Sequence, residues 1–535
     1  MRSTSGMIVH SRETIGDVPP ELIGASTTLA GSKLYLFGGS LASNPEPKPL
    51  AHLYVLDLEL WKWEEILPAR EDPVPRARYF HTVDIWNNHL VVFGGLCERS
   101  KSGQLRVLND VRLFNISTRR WLQSPRVPEV SPKSSVPQPR HAHLSCVSSN
   151  LLFIIGGKDF FGEGFTDICV YDLGRGEWIH KQQYCPGIDM NHAFAATSQW
   201  HVQTPSLDGG DALCPIPLPY SDPVTTRSPC SVYLYNADHL QRQLQMFCPS
   251  PGGQIQRENP PPGAIDRLPF LRFPSGAILG KTLIVAGNSS AENAEQAFSI
   301  WTVDLETSNS GCIDTGGLLK NRSWGKGFLW HEQNKFIALG KNEGSFVDLA
   351  ERLVLGWDSV AVVDLGALGV YQPPTLKLDT AAQKRGLEAL ADGQRLGADF
   401  AFLCDDGRQI PCSRKIVLDR WSWLREQYAR LSGVDASIKH QKRTEITITQ
   451  TSLALSQSYP VTMALLQYLY SLALGTALQR APAVLSYLLL ISTEFQIPHL
   501  RALVKHAMHL ALTEATAEGV YEIAASCGCR SLQIR

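Results

Sequence analysis

Fifteen histidines, twelve cysteines and several paired carboxylates are the groups in this 535-residue chain capable of metal, thiol or acid–base chemistry. Their spacing argues against all three. The only close cysteines are Cys527 and Cys529, and no C-x-x-C occurs, so neither a zinc finger nor a redox dithiol is expected. No H-E-x-x-H, G-x-S-x-G or phosphate-binding G-x-x-x-x-G-K-[ST] is present. Asp405 and Asp406 precede Gly407 and read as turn residues rather than an acid–base pair. Arg78 with His81, and Arg140 with His143, share an R-x-x-H spacing. Because the spacing recurs, it belongs to a repeat, and structural hydrogen bonding is the expected role. The sequence thus leads to the expectation of no enzyme, no cofactor and no metal.

Charge sets further bounds. With 50 basic and 51 acidic residues there is no global field to draw the chain onto nucleic acid or an anionic membrane. The first twenty residues hold no apolar run of signal-peptide length and reach prolines early. The apolar stretches Met463 to Leu474 and Val484 to Ile491 are short and interrupted, so no membrane span is expected. Scattered thiols then point to a reducing compartment, and a cytoplasmic location is expected.

The elements that position these groups repeat. LYLFGG (Leu34 to Gly39), LVVFGG (Leu90 to Gly95) and LLFIIGG (Leu151 to Gly157) each lead to an Asp or Asn, at Asp57, Asn115 and Asp172, followed six residues later by Trp63, Trp121 and Trp178. Weaker marks follow at Tyr235-Asn236, Val303-Asp304 and Val363-Asp364, giving six units between about 21 and 374, the last three degenerate. Apolar or alternating runs before each mark are strand signatures. Each unit reads as four strands, with the Asp or Asn holding a tight turn and the tryptophan opening the fourth strand to cover the neighbouring sheet. The glycine pairs Gly38-Gly39, Gly94-Gly95 and Gly156-Gly157 close the second strand. In the worn units Arg242, Ser310 and Val370 stand at the tryptophan position. One such sheet cannot bury both faces, whereas six arranged radially can, so an all-β six-bladed propeller is expected.

These residues, with the lead-ins PRARYFH (Pro75 to His81) and PRHAH (Pro139 to His143), resemble the kelch repeat. Enzymes occur on that scaffold, but the copper type needs clustered Tyr and His ligands, and the E-x-x-x-D-x-x-x-H iron type has no counterpart, since no Asp here has His four residues after it. Protein recognition is the alternative. The links after the second strand and those between units are long and emerge at one end, which is the expected partner face. Phe160, Phe161 and Phe165 lie on one such loop, and Arg99, Lys101 and Arg106 on the preceding one; aromatic and arginine side chains suit an interface. The competing reading folds the phenylalanines over the blade edge and leaves the cations solvated.

After Pro374 the pattern changes. Asp379 to Gly393 reads as a helix despite Gly386; FAFLC and RQIPC read as strands across the Asp406-Gly407 turn, and a helical run follows. This mainly α (α/β) region, 375–512, resembles a BTB/POZ domain, with Asp399 at the family's acid, Pro411-Cys412 at the strand end, Val417 at the helix leucine, Trp423-Leu424 as the closing aromatic pair and Tyr470 in the "f-l-Y-t-g" helix. Ser413 stands where the family has His, and Trp421 where it has Ser. A polar interval, 432–458, reads as an insert, and 513–535 as a helical extension of the kind found on cullin-binding adaptors.

Propeller first and BTB second resembles leucine-zipper-like kelch-BTB regulators and fungal Ras-pathway kelch/BTB proteins. The resemblances imply an adaptor that holds a client protein on the propeller face, dimerises through the BTB region and recruits a cullin-type ubiquitin ligase. The alternative is a non-degradative scaffold in Ras-family GTPase signalling or cell polarity.

Overall fold

The computed structural model describes residues 8–44, 46–98, 105–123, 135–183, 193–197, 231–237, 242–249, 255–258, 265, 267–289, 298–319, 323–341, 348–349, 352–393, 398–431, 437–441 and 444–535. Arg99 and Lys101 lie outside them. The chain divides into two compact units, Met1–Leu365 and Gly366–Arg535.

In the first unit, six antiparallel four-stranded sheets follow one another, the first five each built from one continuous stretch of sequence; the first also carries Ile15–Gly16 parallel to Lys62–Ile66, and a further small sheet joins Asp348–Leu349, Arg352–Leu355, Leu22–Ile23 and Ser40–Leu41. The first strands of the six, Ser26–Ala30, Thr82–Trp86, Leu144–Ser148, Ala193–Thr197, Leu271–Leu279 and Ser323–Trp330, neighbour one another in that order, and the last returns to the first. That ring is a closed propeller with six blades. Four of the marks expected to hold turns do so: Asp57 Oδ1 accepts from the amides of Glu59 and Leu60 at 2.9 and 3.0 Å, Asn115 Oδ1 from Thr118 at 2.9 Å, Asp172 Oδ1 from Gly174 and Arg175 at 2.9 Å each, and Asp304 Oδ1 from Glu306 and Thr307 at 2.8 and 2.9 Å, whereas Asn236 Oδ1 has no partner among the described residues.

The tryptophans stitch blade to blade. Trp121 lies 5.1 Å from Phe37 of the preceding blade, and Trp178 lies 5.5 Å from Phe93. Such aromatic pairs add about 0.5–1.5 kcal/mol beyond their burial. Trp63 has no preceding blade in sequence, and it packs instead on Trp357 of the sixth.

Ring closure departs from the expected boundaries. The fourth strand of the sixth blade is not the stretch around Val370 but Val9–Glu13, which pairs antiparallel with Ser359–Asp364 from Val9 opposite Val363 to Glu13 opposite Ser359. Val9–Glu13, ahead of position 21, therefore belong to the propeller. Physically, an open ring leaves one sheet edge unpaired, and lending the last blade a strand from the chain's other end satisfies that edge. A second departure is at Gly94-Gly95, which do not end their strand: His89–Glu98 continues past them through an irregularity between Phe93 and Gly95.

In the second unit a five-stranded sheet runs in the order Gln409–Cys412, Phe400–Leu403, Ser452–Leu455, Glu445–Ile448, Ile438–Gln441, with one parallel pair, Phe400–Leu403 beside Ser452–Leu455. Three of these strands fall inside the interval read as a polar insert. Its Thr and Ser residues alternate with Ile446, Ile448, Leu453 and Leu455, all buried, so the interval is part of the core. Helices α1 Thr380–Gly393, α2 Arg414–Arg420, α3 Ser422–Tyr428, α4 Tyr459–Ser471, α5 Pro482–Glu494, α6 Pro498–Leu510, α7 Ala517–Ser526 and α8 Arg530–Ile534 complete it. Gly386 sits in α1 because a Cβ there would lie 2.2 Å from the carbonyl oxygen of Tyr470 on α4. No helix of the described residues is long and apolar enough to cross a membrane.

Candidate functional site

The long-loop end of the propeller is assembled by the R-x-x-H segments. Arg78 and Arg140 carry side chains with no exposure. Arg140 donates through Nη1 to Gly156 O at 2.9 Å, through Nη1 and Nη2 to the two carboxylate oxygens of Asp167 at 2.6 and 3.2 Å, and through Nε to Gln138 O at 3.1 Å. Arg78 repeats this one blade earlier, with Gly94 O at 3.0 Å, Asp110 at 2.8 and 2.9 Å, and Arg76 O at 3.1 Å. Each guanidinium thus ties the link entering a blade to that blade's second and third strands. These arginines are clamps, with their donors consumed inside the fold. The acceptors Asp110 and Asp167 were missed in sequence; their signal was an acid five residues before the turn marks Asn115 and Asp172 in units two and three.

The paired glycines make room for the clamps. A Cβ on Gly38 would lie 2.5 Å from Arg78 O, and one on Gly94 would lie 2.8 Å from Arg140 O. Both adopt positive φ, at 66° and 64°. The glycine of one blade is therefore required by the arginine of the next. His81 and His143 stand edge-on to Phe37 and Phe93, with centroids 5.3 and 5.1 Å apart. Burial, then the nearby Arg140, hold the His143 imidazole down at about 3, and burial, then Arg78, keep His81 well below its ordinary value.

The phenylalanine loop separates into two parts. Phe165 lies under Arg140, its ring 4.4 Å from the guanidinium carbon, and its amide donates to Gly157 O at 2.7 Å. It covers the clamp. Phe160 and Phe161 are the outward part: they are 55% and 86% exposed, edge to face with centroids 5.6 Å apart. Asp159 holds this tip, accepting through Oδ1 from the amides of Phe161 and Glu163 at 2.8 and 2.9 Å. Two exposed aromatic rings on a loop braced by its own backbone form a pre-ordered apolar contact. Arg106 is exposed on Leu105–Asn115, opposite Cys97.

A second feature of this end was not read from the sequence. The first strands enclose an open cavity of about 380 Å³ lined by all six blades, from Gly24 and Phe80 to Phe273 and Phe328. Asp84 and Lys326 face it. Its lining comes from seven separated segments, which explains why no local motif announced it. Among the described residues no group of three or more His, Cys, Asp or Glu side chains is placed to hold a metal.

The residues matched to a BTB pattern have structural positions. Asp399 Oδ1 accepts from the amide of Arg414 at 2.9 Å, at the start of α2. Ser413 donates its amide to Tyr470 Oη at 2.7 Å. Leu424 is fully buried, and Trp423 packs on Phe495 at 4.8 Å. Trp421, at the position of the family's serine, fills the core and donates Nε1 to Phe495 O at 3.2 Å.

Comparison with known proteins places the first unit. Residues 2–199 match the KLHDC2/KLHL20/DRC7 Kelch-repeats domain. The chain is similar to protein ral2 of Schizosaccharomyces pombe, 24% identical over 577 residues, covering 97% of this chain and 92% of ral2. It is also similar to Kelch domain-containing protein 1 of Homo sapiens, 28% identical over 222 residues, covering 37% of this chain and 50% of that protein. The solved structure of YjhT covers 65% of this chain with 95% of its own, at 16% identity and a TM-score of 0.39.

Proposed function

We propose that this chain is a non-enzymatic scaffold whose propeller holds a partner protein at the long-loop end, with 366–535 serving as a divergent BTB/POZ-like module that dimerises. The single observation carrying the reading is the exposed Phe160–Phe161 pair on a braced loop of a kelch-repeat propeller. Exposed aromatics of this size on a rigid frame cost little order on binding and bury large area. Dimerisation would raise the avidity of two such faces for a partner carrying repeated sites.

Within that reading, a Ras-family GTPase signalling scaffold stands ahead of a ubiquitin-ligase adaptor. The likeness to ral2 along 97% of this chain supports it, because the order of propeller and second unit is then shared with a fungal protein rather than assembled anew. The adaptor reading is favoured by a different feature, the helical pair α7 and α8 after the last long helix.

Calorimetry of the full chain against Ras-family GTPases in both nucleotide states, and against a cullin N-terminal domain, separates the two. Micromolar GTPase binding that falls at least tenfold in a Phe160→Ala, Phe161→Ala double variant is the expected result. Cullin binding without GTPase binding would put the adaptor in front. Binding of neither, with a monomer in sedimentation, would remove both.

A further inference from the structure

We propose that the central cavity binds a free amino acid as its zwitterion, the ligand's ammonium on Asp84 and its carboxylate on Lys326. The starting point is a pair of opposite charges that do not meet. Asp84 and Lys326 form no ion pair, although each feels the other's charge across the cavity. Among the described residues Asp84 has one side-chain hydrogen-bond partner, the hydroxyl of Ser145, which donates to Oδ2. Lys326 has no hydrogen-bond or ion-pair partner among the described residues; its Nζ lies 5.8 Å from the centre of the Phe328 ring.

Charges withdrawn from water are costly unless paired, and a structural ion pair would close the gap directly. Here the gap is kept open. The inner strands of the later blades present Ala195, Gly276 and Gly327 to the cavity, and a Cβ on Gly276 would lie 2.1 Å from the Phe194 ring. Gly276 thus makes room for the Phe194 ring, and Phe80, Phe194 and Phe328 give the cavity apolar walls. An acid and an amine on separate blades, with aromatic surface between, complement a small molecule carrying an ammonium, a carboxylate and an apolar body. A zwitterion satisfies both charges and brings no net charge into the fold. The volume of about 380 Å³ lies in the range of small-ligand sites. Burial raises the Asp84 carboxyl to about 6 against the Ser145 hydrogen bond and then the Lys326 charge, and burial lowers Lys326 to about 8 against the Asp84 charge.

The test is calorimetry of the full chain with each of the standard L-amino acids, then with the N-acetylated form and the decarboxylated amine of whichever binds. Millimolar or tighter binding of a free amino acid is expected, weakened about tenfold or more by loss of either end group. Asp84→Asn and Lys326→Met should each produce the same loss. Because either variant could disturb folding, a second readout uses the native chain: acylation of Lys326 by an amine-reactive ester, read by mass spectrometry relative to that of the exposed Lys62 so that consumption of reagent by the free amino acid cancels, should slow selectively when the amino acid is present. The proposal is overturned if no amino acid binds and none protects Lys326, which would make the cavity a water-filled channel. It is also overturned if the N-acetyl acid or the amine binds as tightly as the zwitterion, which would reduce the site to a simple ion site.

Discussion

The indole Nε1 of Trp63 donates to the main-chain carbonyl oxygen of Trp357 at 3.0 Å, and the hydroxyl of Thr14 donates to the same oxygen at 2.8 Å. Three segments far apart in sequence meet on one acceptor. The first blade, the sixth blade and the N-terminal strand are joined there, with the two indole rings 6.3 Å apart and edge to face. The propeller's closure therefore has a defined centre.

Removing that centre should open the ring. Trp63→Ala is expected to cost about 3–5 kcal/mol in urea unfolding of the propeller, the range for truncating a buried tryptophan. Trp63→Phe should lose less, because Thr14 still satisfies the carbonyl and most of the apolar contact survives. Equal losses in the two variants would show that the hydrogen bond, not the packing, closes the ring.

The clamp arginines should differ in worth according to the burial of their acids. Asp167 is 6% exposed and also lies 3.3 Å from Lys181, whereas Asp110 is 37% exposed. Burial pushes the Asp167 carboxyl up, but Arg140 and Lys181 together outweigh it and hold it below the usual range. Arg140→Met takes the bidentate partner from a buried carboxylate, leaving Lys181 beside it, and is expected to cost about 3 kcal/mol. Arg78→Met should cost less, since water reaches Asp110. Denaturant melts of both variants, with Asp167→Leu to complete a double-mutant cycle, measure the difference.

Acid should unfold the propeller partly through its histidines. His143 falls from 6.5 to about 3 on folding because of burial and then Arg140, so below 6.5 only the unfolded chain takes up its proton. Stability is therefore lost as pH falls from 6.5 toward 3, by up to about 1.4 kcal/mol per pH unit for one such group, and His81 acts in the same direction. Asp84 works oppositely. Burial raises it from 3.8 to about 6, so the folded chain holds the extra proton in that window, and its contribution is lost as pH rises through it. His143→Gln should flatten the acid limb of a stability–pH curve, and Asp84→Asn should steepen it between these values. Unchanged curves would contradict both assignments.

The sequence disclosed what repeats locally and hid what is assembled across the chain. Glycine pair, turn acid and tryptophan lie within one unit, and each constrains its own backbone or its neighbour, so Gly38, Asp57 and Trp63 could be placed by spacing alone. Closure by Val9–Glu13 could not, because a lone VHSRE carries no mark of the blade it completes. The polar interval at 432–458 was misjudged because Thr and Ser were weighed as composition, whereas Ile446, Ile448, Leu453 and Leu455 alternate with them on the buried face. The cavity had no local signature at all. Asp84 and Lys326 are 242 positions apart by their numbers and are brought to one cavity only by the ring.

The three phenylalanines of the loop 160–165 should respond differently to truncation. Phe161→Ala removes an 86% exposed ring and is expected to change stability by less than about 0.5 kcal/mol. Phe165→Ala uncovers the Arg140 guanidinium and loses a cation–π contact at 4.4 Å, so it should cost about 1–2 kcal/mol or more. Thermal melts check both, and a loss at Phe161 as large as that at Phe165 would mean that the exposed ring serves the fold rather than a partner.

Gly386 gives the sharpest conflict between local preference and packing. Replacing a glycine inside a helix by alanine ordinarily gains about 0.5–1 kcal/mol, since alanine has less backbone freedom to lose. In α1 the added methyl would meet the carbonyl oxygen of Tyr470 at 2.2 Å and its carbon at 2.9 Å. Both are main-chain atoms of α4, which carries nine buried residues and cannot swing aside as a side chain would. Overpacking of this kind costs about 1–3 kcal/mol, so the clash outweighs the helical gain and Gly386→Ala should destabilise the second unit. Gly519 offers the control: it lies in α7 with nothing within 4 Å of its would-be Cβ, so Gly519→Ala should stabilise by the ordinary amount. Opposite shifts in urea midpoint for the two variants are the expected outcome, and stabilisation by both would show that α1 does not approach α4 this closely in solution.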